Sequence, residues 1–75
     1  MNPIQVKMAR VATGLGVRDL AAAADVASST ITRFESGKGG MQARTLDRVQ
    51  RVLEDAGVVF IPADAHAGAG VRLKS

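Results

Sequence analysis

Leu15-Gly16-Val17-Arg18-Asp19-Leu20-Ala21-Ala22-Ala23-Ala24-Asp25-Val26-Ala27-Ser28-Ser29-Thr30-Ile31-Thr32-Arg33-Phe34-Glu35-Ser36-Gly37 is the stretch whose reading decides the fold. Gly16 separates it from what precedes, and a helix is predicted from about Val17 to Ala24. The alanine run at 21–24 favours helix and lets a neighbouring helix approach closely. Asp25-Val26 makes a tight turn. Ala27 or Ser28 opens the next helix, in which Ile31 and Phe34, three residues apart, share an inward face. Ser36-Gly37 ends it. Ala21 is small where the two helices cross, and Val26 fills the space beneath the turn.

Working outward, Asn2-Pro3 opens a first helix, with Asn at the N-cap and Pro at the first helical position. Ile4, Met8, Val11 and Leu15 recur at helical spacing and form one apolar stripe, with Lys7 and Arg10 off it. Residues 38–41 form a glycine-rich loop. A fourth helix is predicted over about 42–56, with Leu46, Val49, Val52 and Leu53 facing inward and Gly57 as its stop. Val58-Val59-Phe60-Ile61 is a short β-prone run closed by Pro62. Residues 63–70 form a small-residue linker, and Val71-Arg72-Leu73 alternates like a second strand. The expected architecture is mainly α, four helices with a short C-terminal β-strand pair. Residues 1–57 are read as the helical domain and 58–75 as a tail.

Seventy-five residues make one small domain, close to the size where a single core is only marginally stabilising. There is no cysteine, so neither a disulfide framework nor a thiolate metal site is available. No apolar run approaches the ~20 residues of a membrane span, and the first residues lack the apolar core of a signal peptide. A soluble, cytoplasmic protein is expected. The net charge of +3 is unevenly spread. Lys7, Arg10, Arg18, Arg33, Lys38, Arg44, Arg48 and Arg51 lie in the first two thirds. Over residues 52–66 the ionisable groups are Glu54, Asp55, Asp64 and His66. That asymmetry suits a basic face for phosphates and a distal end turned away from them.

With Ile31 and Phe34 turned inward, Ser28, Ser29, Thr32 and Arg33 project outward. Short hydroxyls and a guanidinium on one helix face fit the major groove of DNA. Arg33 is placed to make a bidentate contact to guanine O6 and N7. Hydroxyls both donate and accept, so they discriminate bases less sharply. For Ser28 and Ser29, capping of the helix stands beside base contact as an equal reading. No other site emerges. Gly14-Leu15-Gly16 has no preceding strand, Gly37-Lys38-Gly39-Gly40 lacks the hydroxyl residue of a phosphate loop, and His66 stands alone. No carboxylate cluster builds a catalytic or metal site, and no cofactor or small-molecule substrate is expected. Phe34 and Phe60 are too few for a single-strand stacking platform.

Residues 5–56 resemble the helix-turn-helix domain of the Cro and phage-repressor family, also called the xenobiotic-response-element family. The resemblance rests on Leu20, Ala21, Val26, Thr30-Ile31 and the ending Phe34-Glu35-Ser36-Gly37-Lys38, with spacing held from Leu20 through Gly37. It implies a lambda-repressor-like four-helix fold that binds double-stranded DNA. It also implies an ion pair between Arg10 and Glu35 that orients the second helix of the motif. Gly16, Val17 and Ala27 depart from the family's usual polar cap, glutamine and hydroxyl cap. Phosphate contacts then fall to backbone N–H groups at the helix N-termini and to Arg18, Ser36, Lys38 and Arg44, which implies salt-sensitive binding.

The function expected is a transcription regulator with no enzymatic chemistry, a homodimer on an inverted-repeat operator. Small proteins resembling this family often come from phages, mobile elements and toxin–antitoxin operons, which implies autoregulation. The tail supplies the expected dimer contact: Val59, Ile61, Val71 and Leu73 are apolar, and a lone hairpin is marginal in water. The alternative is that both strands cover the chain's own core. A rival function keeps the fold as a protein-interaction module, an antiactivator or antitoxin, with a protein partner in place of DNA.

Overall fold

Asn2 opens the first helix, α1 (Pro3–Thr13), through a reciprocal cap. Its carboxamide oxygen accepts the Gln5 N–H at 2.8 Å, and the Gln5 carboxamide oxygen accepts the Asn2 N–H at 2.9 Å. The computed structural model describes residues 1–75. After α1 come α2 (Val17–Ala24), α3 (Ser28–Glu35), α4 (Ala43–Asp55), β1 (Val58–Ile61) and β2 (Gly70–Leu73). The chain is mainly helical, with one two-stranded antiparallel sheet. Helix boundaries fall where the caps and glycines predict them. Gly37, with φ of 73°, takes the left-handed turn that ends α3 and lets the Lys38 N–H return to the Arg33 carbonyl at 2.9 Å.

One core joins all four helices to the first strand. Val6, Ala9, Leu20, Ala21, Ala24, Ile31, Phe34, Val49, Leu53 and Val58 form a single buried cluster. Leu20, Ile31 and Leu53 are wholly buried, each contributing about 1.5–3 kcal/mol by removing apolar surface from water. The alanines at 9, 21 and 24 let the helices close on one another. On α4, Val49 and Leu53 are buried, with Leu46 and Val52 packed at the edge of the core.

The face that α1 buries differs from the one its apolar spacing predicts. Gln5, Val6 and Ala9 point inward, whereas Ile4 and Val11 are 67% and 66% exposed. Met8 is half-buried, and Leu15 lies beyond the helix end and packs against the core from the following loop. Both faces carry apolar residues, so periodicity alone does not choose between them. The choice goes to the face with the small Ala9, which admits close packing, and with Gln5, whose amide meets a need of the hairpin. The Gln5 Nε2 donates to the carbonyls of Ile61 and Gly70 at 3.1 and 3.0 Å, fastening the loop end of the hairpin to α1.

The two strands lie on their own helices. Val58 pairs with Leu73, Val59 with Arg72, Phe60 with Val71 and Ile61 with Gly70. Side chains alternate across a strand, so Val58, Phe60, Val71 and Leu73 share one face, and Val59 and Ile61 share the other with Arg72. Val58 is buried, and Phe60 and Val71 pack against the core. The four tail residues expected to make one apolar surface are therefore divided: Val71 is half-buried and packs against this chain's core, while Ile61 and Leu73 keep 37% and 52% of their surface exposed.

Candidate nucleic-acid interface

The turn between α2 and α3 is closed by the backbone. Asp25 caps α2 in the left-handed region, φ 56° and ψ 53°, and the Val26 N–H donates to the Ala21 carbonyl at 2.9 Å. From the other side Arg48, on α4, donates through Nε to the Ala24 carbonyl at 3.0 Å and through Nη2 to the Asp25 carbonyl at 3.4 Å. A cation on the carbonyl end of α2 complements the helix dipole. Arg48 is thus a scaffold residue, and no local pattern announces it because its partners are more than twenty residues away.

Ile31 and Phe34 seat α3 in the core, leaving Ser28, Ser29, Thr32 and Arg33 exposed. Ser29 and Arg33, four residues apart, share the outermost face. Ala27 is the N-cap and makes no side-chain bond, and neither Ser28 nor Ser29 caps the helix through its hydroxyl. Thr32 is different: its hydroxyl donates to the Ser28 carbonyl at 3.2 Å. The Ser36 hydroxyl donates to the Thr32 carbonyl at 2.8 Å. Each of these two oxygens is left as an acceptor, suited to a base amino group and unsuited to a phosphate until the hydroxyl turns out of its intrahelical bond.

Arg33 folds toward the loop that follows α3. With Thr30, Gly39 and Gly40 it lines a polar recess of about 160 Å³. Its guanidinium lies over Gly39, where a Cβ would stand 3.6 Å from Nε and Nη2. Lys38 in that loop, Arg44 on the first turn of α4 and Arg18 on α2 are all exposed and outside any ion pair.

The N-terminus of α2 is not a bare anion site. Gly16 lacks a side chain, and the Asp19 carboxylate accepts its N–H at 3.0 Å. This stabilises the helix start but sets a negative charge where a phosphate contact was expected. An acid three residues into a helix is a readable capping signal that the sequence reading passed over. Gln5 was missed in the same way, although Asn2 followed three residues later by Gln is the capping-box pattern itself.

At its far end α3 is tied to α1 by Arg10 and Glu35. The Arg10 Nε donates to one carboxylate oxygen at 2.8 Å and Nη2 to the other at 3.0 Å. This hydrogen bonding raises the Arg10 pKa above its ordinary value, against the opposing effect of burial.

Two short helices set at a closed turn, the second anchored on one side and free on the other, define a helix-turn-helix module. The chain belongs to the helix-turn-helix domain family, whose model matches residues 4–55. The match stops at the end of α4, so the hairpin lies outside it. No curated protein matches the chain. No helix is long and apolar enough to cross a membrane.

Proposed function

We propose that the chain is a sequence-specific DNA-binding regulator of transcription, of the Cro and phage-repressor kind, without catalytic chemistry or cofactor. The observation that carries the reading is α3: Ser28, Ser29 and Arg33 are exposed on a helix held at its inner face by Ile31 and Phe34 and at its end by Glu35. In a major groove, Arg33 and the two serines read base edges, while Lys38, Arg44 and Arg18 bind phosphates. The regulator acts as a homodimer on an inverted repeat, autoregulates its own operon, and works in the cytoplasm. Val59 and Ile61 on the outer face of the hairpin, with the exposed Leu73 at the end of its inner face, supply the dimer contact. Two recognition helices are then spaced by about 34–36 Å or a multiple of it.

The test is binding to the duplex upstream of its own coding sequence against a scrambled duplex, across a salt series. Each phosphate neutralised contributes a slope of about −0.9 in log K against log salt, so a dimer gives several units. Preference for the upstream duplex is the expected result. A second reading, a protein-interaction module, is favoured by the Asp19 carboxylate at the start of α2. Equal affinity for the two duplexes at moderate salt decides for it.

A further inference from the structure

We propose that the outward face of α1 is a docking groove for an acidic amphipathic helix of a partner protein. Ile4, Met8, Val11 and Ala12 recur at helical spacing along this face, and with Lys7 and Glu35 they line a groove of about 560 Å³. Isolated exposed apolar residues on a small domain need no explanation, but a contiguous stripe marks a contact surface. From Ile4 to Val11 the stripe runs roughly 10 Å, two helical turns, which is the span of the i, i+4, i+7 anchors of a helix laid in a groove.

The charge of the groove selects the partner. No residue of α1 is acidic. Glu35, at the groove wall, already gives both carboxylate oxygens to Arg10. Lys7 is exposed at the rim and makes no ion pair. The one uncommitted charge is therefore positive, and carboxylates flanking the apolar anchors of an incoming helix answer it. A second copy of this chain answers it poorly: antiparallel pairing of two α1 helices brings the two Lys7 side chains together with no carboxylate between them. Arg33 and Glu35, two residues apart on α3, point about 160° apart. The groove thus opens on the opposite flank of α3 from Arg33 and is independent of how α3 is used.

The test titrates the isotopically labelled full chain, followed by amide NMR, with two stabilised synthetic helices. They carry identical leucine anchors, one flanked by glutamates and the other by lysines. The glutamate helix is expected to shift α1 signals and to weaken as salt rises. Val11→Asp should abolish its binding, and Lys7→Glu should weaken it about twofold to fivefold while admitting the lysine helix. Both residues are exposed, so the core signals of the variants serve as the control for folding. Shifts absent from α1, equal binding of the two helices, or no effect of Lys7→Glu each overturn the proposal. So does a concentration-dependent dimer that Val11→Asp dissociates, because the groove is then a contact between copies.

Discussion

Arg10 and Glu35 meet in a bidentate pair, both guanidinium-to-carboxylate bonds at 3.0 Å or less, while the Arg10 Nη1 donates to the Leu15 carbonyl at 3.3 Å. One side chain of α1 therefore holds the end of α3 and the loop that leads into α2. The carboxylate side chain is only 7% exposed, so removing its partner strands a charge in a place water barely reaches.

Arg10→Ala and Glu35→Ala are each expected to lower the unfolding free energy by about 2–3 kcal/mol. The double variant should fall short of the sum by at least about 1 kcal/mol, read by urea unfolding. Additive losses would mean the pair does not couple. The Arg10 pKa is raised in the folded state, so its contribution is complete below arginine's ordinary range and is lost only as pH rises through the raised value. The stability gap between the native chain and Arg10→Ala should stay level from neutral to mildly alkaline pH.

Gln5→Ala removes both donors from the Ile61 and Gly70 carbonyls and half of the Asn2 cap. We expect a loss of about 2–3 kcal/mol. Hydrogen exchange should accelerate first at residues 58–61 and 70–73, before the helices, because the strands lose their tie to α1. Uniform acceleration would show that Gln5 supports the whole core rather than the hairpin.

Asp25 holds a left-handed backbone conformation with a side chain attached. Asp25→Gly should raise stability by about 0.5–1 kcal/mol in thermal unfolding, since glycine adopts this conformation without steric cost. The Arg48 bonds are made to backbone carbonyls and survive the change. A loss of stability would mean the aspartate side chain contributes more than its strain removes.

Arg33→Ala should cost roughly 1–3 kcal/mol of discrimination at one base pair, while Lys38→Ala weakens all duplexes alike and lowers the salt slope by about one unit. Competition binding with single-base-pair variants separates the two. If both substitutions lower specific and non-specific binding by one factor, Arg33 binds phosphate from its seat over Gly39 rather than a base.

Much of the architecture is local and was readable. Asn2-Pro3, Gly16, Asp25-Val26, Gly37 and Gly57 punctuate four helices, and the pairing of Ile31 with Phe34 determines which side of α3 is free. These are short-range choices of backbone conformation and helical period, and they act on residues within a turn or two of one another. The tertiary structure decided which of two apolar faces α1 turns inward, and it made that choice through Ala9 and Gln5 rather than through the larger Ile4 and Val11. It also decided that Val71 packs against the core, that Arg48 caps a distant helix, and that Arg33 lies over Gly39. The reason is common to all of them. Periodicity states which residues share a face, but burial depends on whether a partner surface fits that face and satisfies its polar atoms, and that partner is contributed by chain far away in sequence.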